Sequence, residues 1–468
     1  MYTEFEECVV QQERMKMMVD IKNYFKTNRK EILRQYFDFL RIPSISTGKT
    51  HSEECRQAAS FVLERLKAMN CDTARLIETD GNPLVYGELN RNSTFPTVLI
   101  YGHYDVMPAD ITDGWDTDPF EPVLSDGVVF ARGAEDNKGQ VFSLLKTVEY
   151  LVENERLNCN IKWMIEGEEE CGSSSLRAFL DSDTDALKAD ICLICDTDMI
   201  DIDTPAIVIS LRGGAIWDIT VQGPRQDLHS GLYGGAVVNP VKELVRVLGS
   251  LFSTDGKVLL PGFYDEVRQY TPEERIEITQ QPFDEEEVKK IAGVESLGGE
   301  VGFSALERIV IRPTLEITGI SGGYTDEGLK AIVPSYAKAK VFARLVMDQN
   351  PSKIKDSLVQ YFQKNLAKGV QFKCESEIGL SGYVCNTDSR FFTNMNEVSK
   401  PIFGKPPAQI REGGSIPVVA AFKEKLGMDS LLMGFGLRTD NIHGPNEHFS
   451  LENMVKGMET IAAFFLRI

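Results

Sequence analysis

The feature that most constrains this chain is a set of apolar, strand-length runs that each end in histidine or carboxylate residues. Three such runs are TVLIYGHYD, IKWMIEGEEE and ICLICD. After the first run, Val141, Leu144, Leu145 and Val148 recur at helical spacing and predict an amphipathic helix. Strands that alternate with helices indicate an α/β domain with a mostly parallel sheet and helices on both faces. Sheets of this kind bind ligands at the carboxyl ends of their strands, so the sequence predicts a site at that edge.

Potential metal ligands gather at these strand ends and in two nearby loops. The groups are His103, Asp105, Asp136, Glu168, Glu169, Glu170, Asp196 and His443. Imidazole and carboxylate together suit borderline divalent metals such as zinc, whereas structural sites built on cysteine do not use this mixture. Each motif alone has an ordinary structural explanation, such as acids favoured at a helix start by its dipole. Their joint occurrence at strand ends in one α/β frame favours a metal site.

Local signals predict two further features of the helices. Asp136 and Asn137 stand at the start of the helix that follows RGAEDNKG, where they are expected to cap it. Apolar positions between residues 12 and 40 predict two helices, interrupted around Thr27 and Asn28.

The charge balance and the cysteines exclude several classes of protein. The 468 residues include 50 Lys and Arg against 70 Asp and Glu, and the net charge of −20 disfavours nucleic-acid binding. No apolar stretch approaches the roughly 20 residues that span a bilayer, and the charged N-terminal region lacks a signal-peptide pattern, so a cytoplasmic chain without membrane partners is expected. Nine scattered cysteines argue against a disulfide framework, and Cys192 and Cys195 are predicted to be buried strand residues.

A change in pattern near residue 212 predicts a second domain. The segment GGAIWDITVQGP alternates like an antiparallel strand, and the helix that begins at Asn239 and Pro240 is followed by strand, helix and strand. This order indicates an α+β domain with helices on one face of an antiparallel sheet. The alternation of apolar strands and amphipathic helices found before residue 212 resumes near residue 390. The predicted organisation is a catalytic domain of residues 1–211 and 390–468 with an inserted domain of residues 212–389.

Six strings, in order, carry a resemblance to a known family: GHYDV, RGAEDNKG, EGEEECGS, DLHSGLYGG, RLV and REGGSIP. They resemble the two-metal metallopeptidases that include carnosinase, cytosolic non-specific dipeptidase and related aminoacylases and deacylases. The segment around the mid-chain histidine favours the dipeptidase branch. The resemblance implies metal-dependent hydrolysis of dipeptides by a cytoplasmic homodimer whose inserted domain serves as lid and dimerisation domain.

The resemblance also implies roles for the residues that match its motifs. Asp136 corresponds to a carboxylate that bridges two zinc ions, for which manganese is the alternative. The remaining implied ligands are His103 and Asp196 for one metal, and Glu170 and His443 for the other. The implied catalytic residues are Glu169 as general base for a metal-activated water, Asp105 behind the metal-binding imidazole, and His229, which reaches the partner's site and holds the substrate or oxyanion.

Residues that bind the two charged ends of a dipeptide are also implied by the resemblance. Arg344 corresponds to a carboxylate clamp, a role that suits the planar guanidinium. Glu412 is the candidate for the substrate ammonium, and Gly414 and Ser415 line the pocket.

Two alternatives remain open at this stage. An N-acyl amino acid deacylase or desuccinylase on the same scaffold would need no partner for a free amino terminus. A non-catalytic metal-binding scaffold would have no use for Glu169 beside the ligands. Two departures from the family pattern matter: Glu168 leaves open which adjacent pair supplies base and ligand, and Ala331, where dipeptidases often have threonine, leaves the side-chain preference open.

Overall fold

The computed structural model describes the backbone of residues 2–468 and the side chains of residues 21–375 and 379–468. The chain forms two compact units. The first holds residues up to 209, residues 385–410 and residues 421–468, and the second holds residues 210–384 together with residues 411–420.

Helices and strands alternate through most of the chain. Up to residue 211 the elements are α1 (Tyr2–Leu40), α2 (Ser52–Ala68), β1 (Thr73–Ile77), β2 (Leu84–Leu89), β3 (Thr97–His103), β4 (Val123–Ser125), β5 (Val128–Phe130), α3 (Lys138–Glu153), β6 (Asn160–Glu166), α4 (Ser174–Ser182), β7 (Ile191–Ile194), β8 (Asp198–Met199) and β9 (Ala206–Leu211). From residue 213 to 384 they are β10 (Gly213–Gln222), β11 (Leu228–His229), α5 (Ser230–Tyr233), α6 (Pro240–Gly249), α7 (Pro272–Thr279), α8 (Glu285–Ala292), α9 (Ala305–Val310), β12 (Thr314–Gly322), β13 (Ile332–Val333), β14 (Tyr336–Leu345), α10 (Pro351–Asn365), β15 (Gln371–Leu380) and β16 (Tyr383–Val384). The remaining elements are α11 (Arg390–Phe403), β17 (Ala408–Glu412), α12 (Pro417–Leu426), β18 (Ser430–Leu432), β19 (Gly436–Leu437), β20 (His448–Ser450) and α13 (Leu451–Arg467).

A mixed sheet with a parallel centre forms the core of the first unit. Its strands follow the order β1-β2-β6-β3-β7-β18-β9. The central strands β6, β3, β7 and β18 run parallel, and β1, β2 and β9 join antiparallel on either side. The predicted α/β class is therefore confirmed. Strand β18 comes from the far end of the chain and lies between β7 and β9, so both ends of the sequence build one sheet.

Helices cover both faces of this sheet, as successive residues of β3 illustrate. The ring of Tyr101 meets the ring of Phe422 on α12 edge to face, with centroids 5.8 Å apart. Gly102 faces the opposite side, because side chains alternate along a strand. A Cβ atom at Gly102 would lie 2.5 Å from Val141 of α3, so glycine permits this helix to pack closely on the sheet.

Helix α1 is continuous, and the predicted interruption at Thr27 and Asn28 is wrong. The side-chain amide of Asn28 donates to the carbonyl of Tyr24 at 2.9 Å, one turn earlier, so this residue keeps its polar group satisfied inside the helix. The apolar positions predicted before residue 21 lie outside the described side chains. Neither α1 nor any other helix in the described part of the chain is long and apolar enough to cross a membrane.

The second unit contains a four-stranded antiparallel sheet of order β12-β14-β10-β15. Helices α6 and α10 share one apolar core with the strands, whose buried members include Trp217, Leu248 and Leu358. The predicted α+β class is confirmed. Strand β12 and the short helices α7, α8 and α9 were not predicted from the sequence. The three helices have six to eight residues each and therefore show little periodicity.

Candidate metal centre

The parallel strands of the first unit bring the predicted ligands to one edge of the sheet. His103 is the last residue of β3, Glu170 follows β6 within a short turn, and Asp196 lies two residues after the end of β7. Two groups of possible ligands have donor atoms within 4.8 Å of one another, considering the residues whose side chains are described. They are His103, Asp136 and Asp196, and Asp136, Glu170 and His443. Asp136 is common to both groups.

The two carboxylate oxygens of Asp136 face different histidines. Its Oδ1 lies 3.1 Å from Nε2 of His103, and its Oδ2 lies 2.9 Å from Nε2 of His443. The Nε2 of His103 is also 3.8 Å from Oδ1 of Asp196, and the Nε2 of His443 is 3.1 Å from Oε2 of Glu170. One carboxylate therefore stands between two imidazoles, each of which has a second carboxylate partner.

The charges of this cluster shift the proton affinities of its members. Burial disfavours the charged ring of His103, but hydrogen bonds with Asp105, Asp136 and Asp196 outweigh burial and raise its pKa. Hydrogen bonds with Asp136 and Glu170 raise the pKa of His443 to about 10. Metal ligands must be deprotonated, so protons and cations compete for these groups.

The donor set fits two divalent cations. Oxygen Oε1 of Glu170 is buried and has no hydrogen-bond partner in the protein, which is unfavourable for a carboxylate unless another group satisfies it. The donors are imidazole nitrogens and carboxylate oxygens, a combination that zinc accepts and that manganese accepts when oxygen donors predominate.

Asn137 orients the cluster from below and does not act as the predicted helix cap. Its side-chain amide donates to Oδ1 of Asp196 at 2.7 Å and to the carbonyl of Cys195 at 2.6 Å, and its Oδ1 accepts from the N–H of His103 at 3.3 Å. No side-chain hydrogen bond caps the start of α3. Asn137 occupies the N-cap position of α3 as predicted, but the predicted side-chain capping is wrong because the side chains of Asp136 and Asn137 turn toward the candidate ligands. The peptide bond between them is cis.

Asp105 is fully buried and braces the turn that carries two glutamates. Its Oδ1 accepts from the N–H of Glu169 at 3.3 Å, and its Oδ2 accepts from the N–H of Glu170 at 3.1 Å. The same Oδ1 lies 3.4 Å from Nδ1 of His103. One carboxylate thus holds both the turn and the His103 ring, which it contacts on the Nδ1 side, opposite the Nε2 atom that faces Asp136.

The three adjacent glutamates occupy different environments. The carboxylate of Glu168 accepts from the N–H of Asn82 at 3.0 Å, from the hydroxyl of Ser174 at 2.9 Å and from the N–H of Ser175 at 2.8 Å. These contacts engage Glu168 at the start of α4, away from the ligands. Burial raises the pKa of Glu169, and the neighbouring carboxylates of Asp196 and Glu170 add to this effect.

Sequence reasoning missed one residue in contact with this cluster. Glu447 is buried, and its Oε1 accepts from the N–H of Asp136 at 3.1 Å. The available signal was weak, because Glu447 lies in the loop GPNEH without strand or helix periodicity.

The other predicted site residues belong to the second unit. His229 ends β11 with an exposed ring whose Nδ1 accepts from the N–H of Gly231 at 3.1 Å. Arg344 is half-buried on β14, and its Nη1 donates to the hydroxyl of Ser415 at 3.1 Å. Burial lowers the pKa of this guanidinium. Gly414 is exposed, with open space where a side chain would be, and Glu412 is partly buried at the end of β17.

Comparisons with known proteins agree on one family and one fold. The model of the family described as Peptidase family M20/M25/M40 matches residues 99–467. Human Beta-Ala-His dipeptidase is 33% identical over 392 residues, which cover 82% of this chain and 77% of that protein. The Cys-Gly metallodipeptidase DUG1 of Saccharomyces cerevisiae is 29% identical over 446 residues, which cover 91% of this chain and 92% of that protein. The crystal structure of the M20 family metallo-carboxypeptidase Sso-CP2 from Sulfolobus solfataricus is similar with a TM-score of 0.83 and 33% identity, covering 93% of this chain and 98% of that chain.

Proposed function

Because this chain belongs to peptidase family M20/M25/M40, we propose that it is a metal-dependent dipeptidase that hydrolyses the peptide bond of unblocked dipeptides. The observation that carries the proposal is the position of Asp136 between His103 and His443, with a further carboxylate beside each ring. The dipeptidases among the similar proteins support dipeptides as the substrate class.

Two divalent cations, with zinc preferred and manganese as the alternative, would occupy this centre. His103, Asp136 and Asp196 would hold one, and Asp136, Glu170 and His443 would hold the other. When bound, the pair would polarise the scissile carbonyl and lower the pKa of an attacking water.

Glu169 is the proposed general base. It follows Glu168, which is engaged at the start of α4, and precedes Glu170, whose carboxylate meets His443. Its carboxylate takes a proton from the attacking water and later delivers that proton to the nitrogen of the leaving amine. The raised pKa of Glu169 suits a group that must hold a proton between these two steps. Asp105 keeps the Glu169 turn and the His103 ring in place.

Residues of the second unit are proposed to bind the substrate. Arg344 has no acidic partner among its described contacts, which include the hydroxyl of Ser415 and the ring of Phe342, so its charge is available for a substrate carboxylate. Glu412 would bind the substrate ammonium, and Gly414, with open space where a side chain would be, would leave room for the substrate. We further propose a homodimer in which the exposed His229 of one subunit donates to the oxyanion in the site of the other.

A cytoplasmic location is part of the proposal. The described cysteines are all free thiols, including the buried Cys192 and Cys195. Unpaired thiols are typical of proteins from reducing compartments.

A second candidate function is carboxypeptidase activity on longer or N-blocked peptides. It is favoured by the similarity to a metallo-carboxypeptidase over nearly the whole chain. Such an enzyme would bind the free carboxylate through Arg344 and would need no partner for a substrate ammonium. An N-acyl deacylase would likewise need no partner for a substrate ammonium, because the amino terminus of its substrate is blocked.

The test is hydrolysis of a matched substrate panel after chelation and readdition of zinc or manganese. The panel contains free dipeptides, their N-acetyl counterparts, N-succinyl-diaminopimelate and a tetrapeptide. We expect metal-dependent cleavage of the free dipeptides alone. Cleavage of N-acyl compounds alone would instead assign a deacylase, stepwise release of carboxyl-terminal residues from the tetrapeptide would assign a carboxypeptidase, and metal-independent cleavage would contradict the proposed centre.

A further inference from the structure

Glu447 is a wholly buried carboxylate that uses both oxygens as acceptors. Its Oε2 accepts from Nη1 of Arg132 at 2.7 Å and from the N–H of Gly133 at 3.0 Å. Its Oε1 accepts from the N–H of Glu135 at 3.0 Å and from the N–H of Asp136 at 3.1 Å. These four donors come from one segment, the loop that presents Asp136 to the two histidines.

Arg132 extends this arrangement to the loop that carries His443. Its Nη2 donates to the carbonyl of Gly444 at 3.3 Å, next to His443 in the chain. The main chain adds a further link, because the N–H of Ala131 donates to the carbonyl of Glu447 at 3.1 Å. The segment of Asp136 and the loop of His443, more than 300 residues apart in sequence, are thus joined around one buried ion pair.

The chemistry of a carboxylate is required at this position. Two acceptor oxygens without any donor satisfy four inward-pointing N–H groups, whereas a glutamine amide would set its own NH₂ against two of them. A buried donor that loses its acceptor is strongly unfavourable, so the loop would move to find another partner.

We propose that Glu447 is a positioning residue that fixes Asp136 and His443 relative to each other before cations bind. This inference rests on the proposed function, because it assigns to Glu447 the geometry of the proposed two-metal centre. Glu447 itself does not ligate metal or contact substrate. Its role is expressed mainly in the affinity of the site formed by Asp136, Glu170 and His443.

The test is zinc binding by the full-length Glu447→Gln variant, measured by competition with a chromophoric chelator. The matched control is Glu300→Gln, which removes a buried carboxylate that accepts from Nε and Nη2 of Arg312 at 2.7 and 2.9 Å in the second unit. We expect Glu447→Gln to bind its second zinc roughly 10–100-fold more weakly than the wild type, the range typical when a group that orients metal ligands is lost. Glu300→Gln should bind both equivalents with wild-type affinity.

Failure of this inference and failure of the proposed function give different results. If the wild type binds two zinc ions and Glu447→Gln binds both equally well, the positioning role is wrong and the metal centre stands. If the wild type itself binds no pair of zinc ions, the proposed function is wrong, and this inference fails with it.

A second measurement keeps the inference testable should Glu447→Gln fail to fold. Hydrogen exchange on the metal-free wild type reports the amides of Gly133, Glu135 and Asp136 directly. We expect them to be strongly protected before any metal is added, because Glu447 already accepts from each. Rapid exchange that slows only after zinc addition would show that the cations, and not Glu447, fix this loop.

Discussion

The carboxylate of Asp105 accepts a hydrogen bond from the main-chain N–H of Glu170 at 3.1 Å. This fully buried side chain is thereby connected to the turn that carries a candidate metal ligand. The other carboxylate oxygen accepts from Glu169 and lies beside the ring of His103. One carboxyl group therefore supports the proposed base Glu169 and the candidate ligands Glu170 and His103. Removal of one of its acceptor atoms should disturb both metal binding and proton transfer.

The Asp105→Asn variant is expected to lower both zinc affinity and kcat/KM by roughly 10–100-fold, because its NH₂ group opposes a main-chain N–H. Chelator competition and dipeptide hydrolysis measure the two effects. Asp201→Asn is the control, since Asp201 accepts the N–H of Asp203 at 2.9 Å in an exposed turn. An Asp105→Asn enzyme with unchanged kcat/KM would contradict the bracing role.

Glu168 and Glu169 are adjacent, yet their glutamine variants should behave differently. Glu169→Gln should lower kcat by roughly 10²–10⁴-fold while both metals remain bound, because the proton acceptor is lost. Glu168→Gln should instead lower the thermal midpoint with little change in kcat, because its carboxylate holds Asn82, Ser174 and Ser175. Metal content, kcat and melting temperature separate the two outcomes. Full activity in Glu169→Gln with both metals bound would contradict this assignment and require a different general base.

The sequence predicted the parts of this centre that follow from strand ends. His103 and Asp196 follow apolar runs that became neighbouring parallel strands, and the family resemblance deduced from the motifs is confirmed. Periodicity is informative there because buried strands and amphipathic helices repeat the same environment over many residues.

The features that the sequence did not predict depend on contacts between distant segments. Asparagine is a residue type favoured at helix N-caps, and only the tertiary approach of Asp196 gives the side-chain amide of Asn137 a different partner. Glu447 lies in a loop, and its carboxylate oxygens accept hydrogen bonds from residues more than 300 positions away in the sequence. Asn28 was expected to break α1, whereas packing of Ile21, Phe25 and Ile32 in the core favours a continuous helix. In each case tertiary contacts outweigh a local preference.

His443 is half-exposed, and its replacement should remove one metal without unfolding the protein. The His443→Ala variant keeps His103, Asp136 and Asp196, so we expect one zinc equivalent after dialysis where the wild type retains two. Hydrolysis should be lost with the second equivalent. Elemental analysis of dialysed protein gives the stoichiometry, and His51→Ala, which alters a histidine outside both ligand groups, should retain two equivalents. Two tightly bound zinc ions in His443→Ala would remove this residue from the ligand set.

Glu459 on α13 should make stability depend on pH. Its carboxylate is buried 3.1 Å from Nζ of Lys22, and burial raises its pKa to about 6 from an ordinary value of 4.5. The Glu459 carboxyl therefore binds a proton more tightly in the folded state than in the unfolded state. The folded protein loses stability as the pH rises from 4.5 to about 6. Relative to the wild type, Glu459→Gln should gain up to about 2 kcal/mol at pH 8 and little at pH 4. Thermal unfolding of both proteins at the two pH values measures the difference, and a gap independent of pH would contradict the assignment.

The proposed reach of His229 into a partner subunit predicts that two inactive variants restore activity when mixed. His229→Ala and Glu169→Gln homodimers should each be nearly inactive, because every site lacks either the oxyanion donor or the base. In a mixed dimer, the site with an intact Glu169 on the His229→Ala chain receives His229 from the other chain.

Random exchange of subunits would make half of the dimers mixed, each with one complete site, so activity should return to about a quarter of the wild-type value. The exchange is followed by size-exclusion chromatography with differently tagged chains, and hydrolysis is measured as mixed dimers form. A mixture of Glu169→Gln with Glu169→Ala is the control and should remain inactive, because neither chain supplies a base. If mixed dimers of His229→Ala and Glu169→Gln form without any return of activity, His229 acts within its own chain or not at all.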